Sequence, residues 1–599
     1  MATIKEIITK IEGNKSAPYY DGVGKITIGI GFNIESVSKS RNAVFVNLGL
    51  VKTKEDAQGN IIAALDTEGN LQVKTLYKTV NGVKEIDTVA TNKLNEYFTK
   101  ALELITKDSY NGSKSPSALK TKSQELVNKL DAIMTQIQND ELLSDYKSGI
   151  RSTFTLTTGE IDAIFESILP THIAEADAFL NGITGPDKLV ISKNSDAYKA
   201  LVSLAFNNAS ELLGSGLKWA INNGNRAEAW FQIRYGSNGG SSASDGIAKR
   251  RYYESDLFGV FANENSPTDK EAKDFYRTLW KQGSKISAYE NKYGTQVAKA
   301  NSDYGASVET LATIKNIALN KLKQTYGQGV DIENIIVGYD TGYENSVTKT
   351  KENINDTLTG TAKNDLIFGE QGNDKLYGYD GKDVIYGGEG GDTLYGEIGD
   401  DTLIGGGGSD TLYGGDNNDT LYGDNKDGSG SPIPMMLNND TLIGGKGSDR
   451  LYGGADNDIL IGGIDQYTDD NTYDYLIGGT EDDTYYAGNI DAIYDADGIG
   501  TIYFNGVRIF GAKREVKDAN GYVYEDNQYY YILRTLQDRT LLTISNKANG
   551  DYITVDNFDT TNPHLGISFV PYEILATCQE NVWHVVENNQ NYKPHTKAA

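Results

Sequence analysis

Gly387-Gly388-Glu389-Gly390-Gly391-Asp392-Thr393-Leu394-Tyr395 is one copy of a nine-residue unit in which glycines, an aspartate and a large apolar residue keep fixed places. The aspartate recurs at Asp356, Asp365, Asp374, Asp383, Asp392, Asp401, Asp410 and Asp419, each nine residues after the last. It resumes at Asp440, Asp449 and Asp458, and again at Asp474 and Asp483. Two places after each of the first eight stands an apolar residue: Leu358, Ile367, Leu376, Ile385, Leu394, Leu403, Leu412 and Leu421. A flexible Gly/Asp linker has neither a strict period nor an apolar beat, so the pattern predicts ordered structure.

Glycines tolerate positive φ and let each unit turn tightly, while the apolar residue points inward. Each unit then reads as a short strand plus a turn. Stacking the turns brings carboxylates and carbonyl oxygens of neighbouring coils to a spacing suited to a hard cation. Calcium takes about six to eight oxygens, so neighbouring turns must share each ion. Several calcium ions are the expected cofactor, with the thirteen aspartates named above as ligands. Charge follows the same partition: residues 351 to 500 hold 31 Asp/Glu against 7 Lys/Arg, a difference of -24, within a chain of net charge -27. Without a cation this block should repel itself and stay expanded; with calcium it should fold. No nucleic-acid partner is expected of so acidic a chain.

A length of 599 residues predicts several domains. Cys578 is the one cysteine, so no intrachain disulfide is possible; a reducing cytosol and a secreted protein stapled by calcium would both show this. Met1 to Lys10 contains no apolar h-region and no run of 18 apolar residues occurs, so neither a classical signal peptide nor a membrane span is expected.

Over roughly residues 350 to 599 the chain resembles the RTX proteins. The resemblance implies export from a Gram-negative bacterium through type I secretion machinery, using an uncleaved C-terminal signal, and an extracellular location. Segments rich in β-formers, Gly500 to Gly506, Tyr529 to Leu533 and Asp551 to Phe558, read as strands and look like that family's cap and secretion-signal region. Interruptions at 424 to 439, which contains Pro432 and Pro434, and around 465 to 472 are expected to loop out of the stack.

The first 35 residues carry the other signal. Ile4, Ile7, Ile8 and Ile11 have helical spacing and predict an amphipathic helix over 3 to 12 ending near Glu12-Gly13. After a turn at Asp21-Gly22, residues Lys25 to Ile34 read as one strand. Ile26, Ile28, Ile30, Phe32 and Ile34 would share one face, and Thr27, Gly29, Gly31 and Asn33 the other. That second face is polar and nearly free of side chains, which suits a bulky polar ligand. Glu12, Asp21 and Thr27 are expected to converge on one cleft. A helix C-terminus raises the pKa of a carboxyl there, which favours a general acid, and a second carboxylate with a hydroxyl can deprotonate a water across a glycosidic bond. Taken singly, Glu12 reads more readily as an exposed helix-end acid, and Asp21 beside Gly22 equally as a turn former.

The joint spacing Glu12-x8-Asp21-x5-Thr27, followed by Ile28-Gly29-Ile30-Gly31, resembles the phage-type lysozymes, endolysin muramidases that cleave peptidoglycan. The resemblance implies Glu12, Asp21 and Thr27 as catalytic and Gly31, Phe206 and Asn207 as substrate-binding. It continues in Leu156 to Phe165, in Leu201 to Asn208 and in Gly246 to Phe258, which is similar to the family's G-L-x-x-R-R-x-x-E-x-x-L-F. It covers about residues 3 to 42 and 153 to 260. Phe32 stands where the family has histidine. Residues 43 to 152 form an insertion, with helices expected near 92 to 106 and 117 to 140, that either extends the sugar site or is a surface elaboration. Arg250 and Arg251 read as a solvated helix face, or as cations facing Glu12 or an anionic wall polymer. His172, His564, His584 and His595 lack ligand spacing.

The fold class expected is multidomain: an α+β lysozyme-like N-terminal domain at 1–260 with the 43–152 insertion, a helical connector at 261–350, a parallel β-roll at 351–490 and a β-rich cap with secretion signal at 491–599. The expected function is a secreted lysozyme (muramidase) that hydrolyses the β-1,4 bond between N-acetylmuramic acid and N-acetylglucosamine with inversion, its calcium-binding repeats folding after export. Peptidoglycan and the type I secretion machinery are the expected partners. The alternative is a non-enzymatic calcium-dependent surface protein or adhesin that uses the same fold to bind glycan.

Overall fold

The computed structural model describes residues 3–12, 15–20, 26–29, 32–33, 38–55, 61–68, 70–107, 116–236, 245–263, 266–338, 355–424, 438–512, 514–518, 521–536, 539–560, 564–569, 583–585 and 592–594. The chain divides into two compact units, residues 1–262 with 284–311 and residues 263–283 with 312–599. The segment 261–350, read from sequence as a connector, is shared between them. Helix Gln296–Tyr304 belongs to the first unit, whereas strand Asn334–Val337 belongs to the second.

The first unit is mainly helical. Helix Ile4–Glu12 is capped by Thr3 and Glu6, each backbone N–H donating to the other's side chain at 2.7 and 3.2 Å, and it buries Ile7 and Ile8. A three-stranded antiparallel sheet follows, Lys15–Tyr20, Ile26–Gly29 and Phe32–Asn33. The single strand expected over 25 to 34 is therefore two strands: the chain reverses between Gly29 and Phe32, so that Ile28 pairs with Phe32 and Thr27 with Asn33. Period-two alternation cannot distinguish a straight strand from a hairpin when glycines flank the point of reversal.

The insertion forms helices Thr88–Lys107 and Pro116–Asn139, close to the predicted spans, and two small hairpins. It is no surface elaboration. Leu94, Phe98, Leu130 and Met134 share one buried core with Ile8 and with Ile161 and Phe165 of helix Thr158–Asn181. At its centre Phe45 meets Phe98 and Phe154 edge-on at 5.2 and 5.9 Å.

The second unit is a parallel-rich β structure. Alternate repeats feed two sheets, so each strand pairs in parallel with the strand two repeats away: Leu376 with Leu394 in one sheet, Ile385 with Leu403 in the other. The inner apolar residues expected from the period are buried between the sheets, from Leu358 to Leu421 and on through Leu442, Leu451, Leu460, Leu476 and Tyr485. On the outer face of one sheet Tyr377, Tyr395 and Tyr413 stack with ring centroids 4.8 Å apart and planes within 4°. Strand Asn334–Val337, ahead of the first repeat, starts the thirteen-stranded sheet by pairing with Asp365–Gln371.

Both interruptions leave the ladder intact. Thr411 pairs with Thr441 and Arg450 with Tyr475, so the strands flanking each interruption keep their register. Residues 425 to 437 themselves lie outside the described residues. Beyond the repeats the sheet does not end. Strand Ala492–Tyr494 pairs in parallel with Tyr552–Asp556, which opens an antiparallel run through Arg539–Asn546, Tyr529–Leu536, Gly521–Glu525 and Arg514–Asp518. The β-rich region at 491–599 thus extends the roll's own sheet. Among the described residues no helix is long and apolar enough to cross a membrane.

Candidate functional site

Each repeat uses its glycines for two different purposes. Gly388 and Gly390 adopt φ of 119° and 126°, so they are glycines for conformational reasons. Gly387 has no such φ. A Cβ on it would instead collide with Asp392 Oδ2 and lie 2.5 Å from the carbonyl oxygen of Gly405 in the next coil. The absent side chain leaves a cradle lined by one carboxylate oxygen and one carbonyl oxygen. The same pair recurs at Gly396, where Asp401 Oδ2 and the Gly414 carbonyl each lie 2.5 Å from the Cβ position, and at Gly444 with Asp449 and Gly462.

The two oxygens of each aspartate are treated differently by the fold. Oδ1 accepts the backbone N–H of the aspartate one coil earlier: Asp374 N–H donates to Asp392 at 2.7 Å and Asp401 N–H to Asp419 at 2.8 Å. Oδ2 is buried and has no hydrogen-bond partner in Asp374, Asp383, Asp392, Asp401, Asp410, Asp419, Asp440, Asp449, Asp458, Asp474 and Asp483. Asp365 differs, because its Oδ2 accepts from Thr361; Asp356 is buried at the start of the row. Burial pushes these carboxyls up, Asp392 to about 6, Asp401 to about 7, Asp410 to about 8 and Asp419 to about 9. Buried carboxyls with one oxygen unsatisfied resist ionising, and a cation in the cradle would let them carry their charge there.

The donor set fits calcium. Its ligands are all oxygens, a carboxylate and a carbonyl from adjacent coils, which is the chemistry of a hard cation. Among the described residues no three Asp, Glu, His or Cys side chains converge on one point, and the glycine carbonyl at each cradle is a further oxygen the fold supplies. Residues 353–385, 395–425 and 437–469 match the family model of the RTX calcium-binding nonapeptide repeat. These stretches are RTX repeats. They bind calcium ions, and repeats of this kind are typical of secreted proteins exported by type I secretion, which fits an extracellular location. No curated protein matches the chain.

The sequence reading missed several parts of this ladder. The carbonyls of the first glycine in each unit carry no side-chain signal. Asp491 is fully buried but falls seventeen residues after Asp474, outside the nine-residue beat. At the other end of the roll, the Gly338 carbonyl accepts from Arg277 Nε at 2.6 Å, and Arg277 is buried beside Asp274. A guanidinium therefore closes the ladder where a preceding coil would be.

In the first unit, Glu12 is the last residue of helix Ile4–Glu12, and Thr27 sits in the central strand of the three-stranded sheet, its backbone paired with Tyr19 and Asn33. The side chains of Glu12 and Thr27, and residues Asp21 and Gly31 altogether, lie outside the described residues. Phe206 is half-buried, its ring 5.0 Å from His172 and 5.9 Å from Phe165, and Asn207 is exposed just before helix Asp196–Leu212 loses helical geometry at Asn208.

Arg250 and Arg251 are not a solvated face. Both are buried around the fully buried Glu254: Arg250 Nε lies 3.0 Å from Oε1, Arg251 pairs with Oε2, and Ser203 Oγ donates to Oε1 at 2.6 Å. Burial alone would raise the Glu254 carboxyl, but the two guanidiniums outweigh it and hold it below the ordinary range. The arginines thus tie helix Asp245–Phe258 to helix Asp196–Leu212 through Ser203, whose carbonyl also accepts from Arg250 at 3.0 Å.

Proposed function

We propose that the chain is an exported peptidoglycan hydrolase whose RTX block folds on meeting calcium outside the cell. The reading rests on one observation: the spacing Glu12-x8-Asp21-x5-Thr27 falls on a helix that ends at Glu12 and on a three-stranded antiparallel sheet that carries Thr27 in its middle strand. It is supported by helices at Thr158–Asn181, Asp196–Leu212 and Asp245–Phe258, over the segments that resemble phage-type lysozymes.

In this reading Glu12 protonates the leaving oxygen of the β-1,4 bond between N-acetylmuramic acid and N-acetylglucosamine. Asp21 takes a proton from the attacking water, which Thr27 orients, and the anomeric carbon inverts. Room for that water requires the two carboxyls to stand about 6.5 to 9.5 Å apart. Calcium acts on folding and export; the chemistry belongs to the first unit. A site held at a hundred times its dissociation constant adds about 2.7 kcal/mol of stability, so a ladder of them suffices to compact an acidic block.

Zymography on purified peptidoglycan, with and without chelator, tests the reading. The wild type is expected to clear the wall and Glu12→Gln to leave it intact. Equal clearing by both removes the catalytic assignment, and binding without clearing by either favours the glycan-binding surface protein.

A further inference from the structure

The first glycines of the repeats fall into two columns, because paired strands lie one coil apart. One runs Gly360, Gly378, Gly396, Gly414, Gly444 and Gly462; the other ends Gly423, Gly453 and Gly478. Up to the last member each cradle holds the carboxylate of its own repeat and the carbonyl of the next glycine. The two columns end differently.

At Gly462 the second oxygen is no carbonyl. A Cβ there would lie 2.7 Å from Asp474 Oδ2 and 3.0 Å from Asp491 Oδ2. Both aspartates are fully buried. Asp491 uses Oδ1 to accept Asp474 N–H at 2.9 Å and Oδ2 to accept Gly488 N–H at 2.6 Å, whereas Asp474 Oδ2 has no partner and is aimed into the cradle. The interruption at 465 to 472 places two more acids nearby: Asp469 accepts Asn489 N–H and Asp470 accepts Gly447 N–H, each at 2.7 Å. At Gly478, by contrast, the cradle is filled by the phenol of Tyr485, beside Asp483 Oδ2. Tyr485 stands at the inner position that other repeats give to Leu or Ile, and its longer side chain reaches the turn, where the hydroxyl donates to Asp495 Oδ2 at 2.7 Å.

We propose that Asp474 and Asp491 form a calcium site that closes one column and binds more tightly than the sites along it, where a glycine carbonyl takes the cradle position that Asp491 Oδ2 holds here, while the other column closes on the Tyr485 hydroxyl without an ion. Two buried carboxylates facing one point repel each other strongly unless a cation lies between them, and calcium affinity rises with the number of charged ligands. Asp483, expected from the period to be a ligand like the rest, instead faces a hydroxyl. The inference does not depend on whether the first unit cleaves peptidoglycan.

Equilibrium dialysis of the full chain against calcium tests it, with far-UV circular dichroism at saturating calcium to confirm the fold. One site is expected to bind at least about tenfold tighter than the others. Asp491→Asn should abolish that class and spare the rest, Asp401→Asn should remove a weak site and spare the tight one, and Tyr485→Leu should raise the stoichiometry by one. Asp469→Asn keeps one of the two acceptors that Asp469 offers to the N–H groups of Asn489 and Asn471 and removes a charge at the partly exposed interruption, with the dichroism at saturating calcium checking that it folds; it should weaken the tight class severalfold. A tight class that survives Asp491→Asn or is unmoved by Asp469→Asn, or an unchanged count in Tyr485→Leu, overturns the assignment.

Discussion

The backbone N–H of Asp383 donates to Oδ1 of Asp401, 2.7 Å away and eighteen residues further along the chain. One side chain thus performs two tasks, holding the preceding coil with one oxygen and presenting the other to the cradle at Gly396.

Asp401→Asn separates those tasks, since an amide keeps the Oδ1 acceptor and loses the charge. Calcium titration followed by far-UV circular dichroism should show the midpoint for β gain rising severalfold, with an unchanged final signal. Asp401→Ala removes both and should in addition lower the urea midpoint at saturating calcium by the equivalent of about 1–3 kcal/mol. Identical behaviour of the two variants would show that the coil-to-coil hydrogen bond contributes nothing.

The two kinds of glycine predict two kinds of defect. Gly390→Ala forces a side chain onto φ of 126° and against the Gly372 carbonyl, so it should cost at least about 1–2 kcal/mol with or without metal. Gly387→Ala fits its φ but drives a Cβ against Asp392 Oδ2 and the Gly405 carbonyl, so it should cost stability in both conditions and should also lose part of the gain that calcium confers, which Gly390→Ala keeps. Urea unfolding in calcium-depleted and calcium-loaded buffer at mildly acid pH distinguishes them. A gain on adding calcium that is as large in Gly387→Ala as in Gly390→Ala contradicts the cradle.

Acid should partly replace calcium. Burial raises Asp392 from 3.8 to about 6, Asp401 to about 7 and Asp419 to about 9. The metal-free roll therefore binds protons more tightly than the unfolded chain does. The stability those protons confer is complete below about pH 4 and is lost as pH rises from there to each carboxyl's folded value, about 6 for Asp392 and about 9 for Asp419, by about 1.4 kcal/mol per unit for each carboxyl within its own window. In calcium-depleted solution the β signal should grow on lowering pH from 8 to 5. A signal that falls or stays flat would sink this account.

Glu254→Gln strands two buried guanidiniums in the first unit. Removing one partner of a buried ionic cluster costs about 3–5 kcal/mol, and the effect should be the same in chelator because the cluster belongs to the first unit and the repeats to the second. Urea unfolding followed by tryptophan fluorescence measures it. A change below about 1 kcal/mol would mean that water enters and hydrates the pair.

The roll was legible because its period is set by covalent geometry: nine residues per half-coil keep Leu394 inside and Asp392 at the turn whatever the surroundings. What lay off the beat was not. Strand Asn334–Val337 precedes the repeats, and Asp491 belongs to a degenerate unit one residue short. Tyr485 kept the apolar register yet placed a hydroxyl where the pattern implied an ion. In the first unit, helices at Thr88–Lys107 and Pro116–Asn139 followed from apolar spacing, whereas the reversal at Gly29 and the burial of Arg250 and Arg251 did not. Alternation gives the face of a strand but not its length, and a charge pair carries no sign of the acid that will meet it from the same helix turn. The clustering of Glu12, Asp21 and Thr27 rests on their spacing.

The file formed by Tyr377, Tyr395 and Tyr413 has an optical consequence. Near-parallel phenol rings 4.8 Å apart couple their electronic transitions, and they reach that spacing only when successive coils have docked. The protein therefore carries an intrinsic chromophore array whose near-ultraviolet dichroism reads out the closing of the roll coil by coil, with no added label.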